Sequence, residues 1–236
     1  MTLERRSLVN MVSDDLLGRI IAGEFPPDAL LPNEPELVAR HGVSRMTVRE
    51  AVKTLEAQNV VRIERGRGTF VNPINRWNSM EAVVRATSRG EKDADSSSIQ
   101  LIELRRMFET GAAELAATRI SPDEIGLLRG QLAWMRAAHR ANDVERFVEA
   151  DLAFHNVILH ASGNVYLAVL FEPLSRVMGE RRIQTSRIPE IQAHAIQAHA
   201  NIVEALESRI PANARRAMDG HMTQTLVDLK HYVLRV

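Results

Sequence analysis

Apolar residues recur at helical spacing over most of the chain, and the breaks in that recurrence mark its elements. Between Leu8 and Ala22 they fall at Leu8, Val9, Val12, Leu16, Leu17, Ile20 and Ile21, one face of an amphipathic helix. Asn33 is suited to cap a second, short helix, with Glu34 in its first turn and Pro35 tolerated there. His41-Gly42 ends that helix, and Ser44 caps a third that reaches about Gln58. The period then changes: VVRIE, a turn at Arg65-Gly66 and GTFVN read as two short strands. Three helices followed by a hairpin make the winged helix-turn-helix pattern.

Beyond Pro73, glycine and proline thin out and Ala, Leu, Glu and Arg dominate. NPINRWNSM and the polar run SRGEKDADSSS at 88–98 separate the two halves. Helices are predicted near 99–119, 122–140, 142–161, 164–188, 190–209 and 212–234. Ser121-Pro122-Asp123-Glu124 is a start signal, Ser162-Gly163-Asn164 a stop and restart, and Pro211 opens the last helix. The expected fold is mainly α. A winged helix-turn-helix domain occupies 1–76, a linker or first connecting helix 77–98, and an all-α antiparallel helical bundle 99–236.

Composition narrows the chemistry. Of 236 residues, 30 Lys and Arg balance 30 Asp and Glu, which excludes a globally basic coat or an acidic disordered tail. Cysteine is absent, so disulfides, thiol catalysis and thiolate metal sites are excluded, and a metal would need nitrogen and oxygen ligands. MTLERRSLVN lacks an apolar signal core, and no stretch approaches the ~20 apolar residues of a membrane span. The expectation is a soluble cytoplasmic protein with no membrane partner.

The zero net charge hides a local bias. From Arg40 to Arg67, seven basic residues (Arg40, Arg45, Arg49, Lys53, Arg62, Arg65, Arg67) face three acids (Glu50, Glu56, Glu64), an excess of four positive charges. In the third helix Val48, Ala51, Val52 and Leu55 form one apolar face. Arg49 lies about 110° from its centre, and Arg45 sits at its edge near the N-terminus. A recognition helix needs this division between an anchoring stripe and free N-terminal side chains. The arginine fork matches guanine O6 and N7, and the hydroxyls of Ser44 and Thr47 suit phosphate oxygens. Arg65 and Arg67 flank Gly66 at the hairpin tip, where glycine permits close backbone approach and a basic side chain can enter a minor groove.

In the helical half, several polar residues interrupt apolar faces. Asp151 and His155, four apart, share a face with Val144, Phe147, Val148 and Ile158. His199 sits among Ala195, Ile196, Ile202, Val203 and Leu206, and His221 lies at the shoulder of its stripe near Ala217 and Met218. Buried carboxylates and imidazoles are costly unless paired or metal-bound. One Asp and three His therefore fit a divalent ion such as Zn or Ni, or else a hydrogen-bonded pair beside core histidines. His160 and His194 point away from their apolar faces and read as surface, as do His41 and His139, and His231 is unassigned. Arg105 lies within about 60° of Leu101, Ile102, Phe108, Ala112 and Ala116. It reads as a salt bridge to Glu109 or as a fork for a ligand carboxylate.

LPNEPELVARHGVSRMTVREAVKTLEAQNVVRIERGRGTFV resembles the DNA-binding domain of the GntR family of bacterial transcription regulators, over roughly residues 8–72. The resemblance implies DNA contacts from Ser44, Arg45, Thr47 and Arg49 and from the wing around Gly66. Pro35 stands where the family usually carries an arginine that often touches DNA, so that contact is lost. ELRRMFETGAAELAATR, DLAFHNVILHASGN, AHANIVEALES and ARRAMDGHM follow in order the pattern of the FCD effector domain of the FadR-type branch, across most of 99–234. That resemblance implies a divalent metal on Asp151, His155, His199 and His221, and an organic acid whose carboxylate meets the metal and Arg105. Ala198 replaces the glutamate that usually precedes the third ligand. The NRWN stretch leans toward regulators of sugar-acid or hydroxy-acid catabolism.

The expected protein is a homodimeric repressor that binds double-stranded operator DNA and responds to a small organic carboxylate. Two other readings compete. A metal-dependent hydrolase would need a general base beside the metal, and no motif such as H-E-x-x-H supplies one. A constitutive DNA binder with a purely structural bundle would not need Arg105 or the interrupted faces.

Overall fold

The computed structural model describes residues 7–88 and 91–234, and its chain divides into two compact units, Met1–Ala94 and Asp95–Val236. The first unit runs α1 (Leu8–Ile21), α2 (Glu34–His41), α3 (Arg45–Ala57), β1 (Val61–Glu64), β2 (Gly68–Val71), a 3-10 turn (Ile74–Arg76) and α4 (Met80–Thr87). Local chemistry sets each boundary. The Asn33 side chain accepts from the Glu36 N–H at 3.0 Å while the Glu36 carboxylate accepts from the Asn33 N–H at 3.1 Å, a reciprocal cap that tolerates Pro35 in the first turn. Gly42 ends α2 at φ 62°, and the Ser44 hydroxyl accepts from the Thr47 N–H at 3.1 Å to start α3.

Helix α3 packs against α1, α2 and β1, burying Val48, Ala51 and Leu55 with Leu16, Leu37 and Val60. The hairpin is antiparallel, with Val61 opposite Val71 and Glu64 opposite Gly68. The segment before α2 covers the free edge of β2: the Asp28 N–H donates to Val71 O at 2.9 Å and the Leu31 N–H to Thr69 O at 2.8 Å. That edge pairing hides backbone groups the hairpin would leave open. Gly68 has φ 121°, and a Cβ there would lie 2.5 Å from Leu30 Cδ1. Gly68→Ala is expected to destabilise the ribbon by at least about 1 kcal/mol, chiefly through backbone strain. The readout is faster amide exchange across β1 and β2; unchanged protection would contradict it.

The helical half comprises α5 (Glu91–Arg119), α6 (Pro122–Ala141), α7 (Val144–Ala161), α8 (Val165–Thr185), α9 (Pro189–Glu207) and α10 (Pro211–Asp228), followed by π-helical Leu229–Leu234. Residues 89 and 90 of the polar run lie outside the described residues, but from Glu91 onward the run is helix, earlier than the expected start at 99. Ser and Asp are weak helix formers rather than forbidden ones, and they extend an already nucleated helix. Ser121 and Glu124 form the reciprocal cap of α6, and Asn142 ends it at φ 53°. Helix α6 packs on α7 and α9, α7 on α8, and α9 on α10. Ala112, Ala113, Ala116 and Ala117 of α5 are fully buried, small side chains that let neighbouring backbones approach. Among the described residues, no helix is long and apolar enough to cross a membrane.

Candidate functional site

Two places concentrate chemistry. On α3, Val48, Ala51, Val52 and Leu55 are buried while Arg45, Met46 and Arg49 are exposed, which leaves the helix's N-terminal half open. Arg49 Nε donates to Glu34 Oε1 at 2.8 Å, and each side chain stabilises the other's charged form. The Ser44 hydroxyl serves the cap and lies 2.9 Å from Thr47 Oγ1, so a phosphate contact from either would share these bonds. At the hairpin tip Arg65, Gly66 and Arg67 are exposed, with Gly66 at φ 77°. Arg67 pairs with Glu64 and lies over the Phe70 ring at 5.3 Å. Arg62, counted in the local positive excess, is consumed within the ribbon by Asp28 at 2.9 Å, Glu64 at 3.0 Å and Val71 O at 3.2 Å.

The second place is inside the helical half. Asp151 and His155 from α7, His199 from α9 and His221 from α10 are all buried. One ring nitrogen from each of His155, His199 and His221 lies within 4.8 Å of the others. Their ring centroids are 5.1 Å (His155–His199), 5.3 Å (His155–His221) and 4.7 Å (His199–His221) apart. Asp151 Oδ1 stands 3.1 Å from His199 Nε2 and 3.7 Å from His155 Nε2.

Protonation sharpens this geometry. Burial, reinforced by the His155 ring, lowers the His199 pKa well below its ordinary value; burial, then the His199 and His155 rings, do the same for His221. His199 Nδ1 lies 2.6 Å from Ala195 O and must donate to it, so the neutral ring keeps a lone pair on Nε2. That lone pair faces the Asp151 oxygen, and neither His199 Nε2 nor His155 Nε2 has a hydrogen-bond partner among the described residues. Two acceptors at that distance repel unless a cation lies between them. The separation is close to the ~3.3 Å between adjacent ligands of a tetrahedral ion with bonds of about 2.0–2.1 Å. The residues present therefore fit a divalent metal.

Behind the histidines, Arg105 Nε donates to Glu109 Oε1 at 2.7 Å, the salt bridge the spacing allowed. Glu109 Oε2 lies 2.5 Å from His155 Nδ1, near but off the line of a hydrogen bond. Burial pulls the Glu109 pKa upward, but Arg105 and His155 outweigh it and hold the carboxyl well below the usual range. A carboxylate held so acidic is a poor general base. Arg105 also lines a pocket with Leu101, Ile102, Met178, Arg182 and Asp228.

Arg182 of α8 was missed in the sequence. It is buried and its guanidinium binds Asp151. The signal was available: Phe171, Leu174 and Met178 are buried at spacings of three and four, and Arg182 continues that face one turn on. Two surface assignments also need correction. His41 is largely buried, with Nε2 3.7 Å from Asp15, and His139 is half-buried, with Nδ1 2.8 Å from Gln192 Oε1. Both rings meet side chains from other elements, which periodicity within one helix does not register.

Comparison with known proteins places both halves of the chain in known families. Residues 8–71 match the bacterial regulatory proteins of the gntR family, and residues 100–224 match the FCD domain. The uncharacterised HTH-type transcriptional regulator YieP of Escherichia coli K12 is 33% identical over 163 residues, 69% of this chain and 71% of that protein. The galactonate operon transcriptional repressor of the same organism is 31% identical over 167 residues, 69% of this chain and 72% of that protein. The structure of a Streptococcus agalactiae GntR protein superposes with TM-score 0.53 at 28% identity, covering 93% of this chain and 99% of that one. These relatives are regulators rather than enzymes, which sets the hydrolase alternative aside. The chain belongs to the gntR family of bacterial regulatory proteins, a DNA-binding transcription regulator with a helical FCD domain.

Proposed function

We propose that the chain is a cytoplasmic, homodimeric repressor whose operator affinity is lowered by a small organic acid bound beside its buried histidines. In this reading residues 1–76 read DNA, 77–98 connect, and 99–236 bind the effector and dimerise. Two copies related by a two-fold axis read the two halves of a near-palindromic operator. Arg45 and Arg49 reach base edges, Ser44 and Thr47 meet phosphates, and Arg65, Gly66 and Arg67 follow the adjacent groove. The observation that carries the effector half is the unpartnered His199 Nε2 facing Asp151 Oδ1 at 3.1 Å, close to a pocket that holds Arg105.

Asp151, His155, His199 and His221 would hold a divalent ion, which would supply a Lewis-acidic position for a carboxylate oxygen. Arg105 offers its remaining N–H groups to the same ligand while Glu109 fixes its orientation through Nε. The apolar wall of Leu101, Ile102 and Met178 keeps water from screening that pair. An acid that binds one arrangement of the two heads better than another shifts operator affinity by that difference. Similarity to a repressor named for a galactonate operon supports both repression and a sugar acid as the ligand class.

Arg105→Ala tests the reading. The variant is expected to bind operator as the wild type does but to resist release by an acid that releases the wild type. An equal release in both proteins would contradict the role given to Arg105.

A further inference from the structure

Arg182 has chemistry that the preceding reading leaves unused. It is 8% exposed and reaches Asp151 through Nη1 alone. Its Nε and Nη2 are buried and have no hydrogen-bond partner among the described residues. A buried guanidinium with two unsatisfied nitrogens is costly unless something else completes it. Arg182 and Arg105 line the same pocket, one from α8 and the other from α5. The one acid among the lining residues is already taken: Asp228 Oδ1 accepts from Gln224 Nε2 at 2.8 Å and lies 2.9 Å from His194 Nδ1. Glu109 and Asp151 each hold one of the two arginines from outside that lining. The pocket therefore presents two guanidinium groups and no free acid among its described residues.

Each guanidinium keeps N–H groups that its own carboxylate partner does not take. A monocarboxylate can complete one of the two forks, whereas a ligand with two carboxylates can complete both.

We propose that Arg182 is a second anion-binding group of this pocket, facing the ligand together with Arg105, and that the pocket selects a small acid bearing two carboxylates over its monocarboxylate counterpart. This rests on the proposal of an acid effector and names its class. The two carboxylates divide between the arginines, and hydroxyls on the intervening carbons meet the polar wall near Thr225.

The test is isothermal titration of full-length protein, saturated with zinc, using acid pairs that differ by one carboxylate in place of a CH2OH group. Suitable pairs are tartrate and threonate, glucarate and gluconate, and galactarate and galactonate. In the best-binding pair the diacid is expected to bind at least about tenfold tighter, as one further charge-assisted fork implies. Arg182→Gln is expected to reduce that ratio to about threefold or less. Monoacids binding as tightly as their diacids in the wild type would overturn the proposal while leaving the acid-effector reading intact, and this arm needs no variant. A wild-type diacid preference that survives Arg182→Gln would also overturn it. Failure of every acid to bind would overturn the effector reading and this inference together.

Discussion

Arg49→Ala is expected to weaken specific operator binding by about 10–100-fold in a gel-shift titration, the discrimination carried by one bidentate arginine–guanine contact. The fold has little stake in this side chain. Its side chain is 56% exposed, and Glu34 is its one polar partner among the described residues, so circular dichroism and the unfolding midpoint should stay near wild type. Glu34 gives the interaction a second feature. In free protein it holds the Arg49 Nε, leaving the terminal nitrogens of the fork to approach a base edge. Arg65→Ala provides the contrast, a smaller loss spread evenly over sequences and a shallower salt dependence, as a wing residue meeting backbone charge implies. Unchanged operator binding in Arg49→Ala would remove α3 from the role of recognition helix.

The second large effect is on metal content. Purified wild-type protein is expected to contain, or take up on titration, about one divalent ion per chain, and His199→Ala is expected to hold almost none. His199 is completely buried, its Nδ1 is fixed by Ala195 O and its Nε2 points at Asp151, so no neighbouring side chain replaces it. Zinc should raise the wild-type melting temperature and leave the variant's unmoved, because only a native site converts binding into stability. His199→Gln, closer in volume, separates metal loss from a packing defect. Wild-type protein with neither bound metal nor uptake would refute the site.

Much of this architecture was legible where the governing contacts are local. Asn33, Gly42, Ser44 and Ser121 are caps whose partners lie within a few residues, so a reading along the chain finds them. The interrupted apolar faces at Asp151, His155, His199 and Arg105 were legible for the same reason, since burial of a helix face is periodic. What stayed hidden depends on pairing across the fold. The consumption of Arg62 by Asp28, the edge pairing of Leu31 with β2, and the burial of His41 against Asp15 each join residues from separate elements. Arg182 is intermediate: its face was readable, but its partner Asp151 lies 31 residues away on another helix. Glu109 was visible as a partner for Arg105, whereas its approach to His155 was not.

The proposed control of DNA binding by an acid at the buried histidine site is tested by fluorescence anisotropy of an operator selected from random DNA, titrated with an acid that thermal shift shows to bind. The measurement is made on zinc-saturated protein and again after chelation. The zinc-saturated protein is expected to lose at least about tenfold in operator affinity, and the chelated protein to respond little. An operator affinity unmoved by saturating acid, or one that falls equally with and without zinc, would contradict that control.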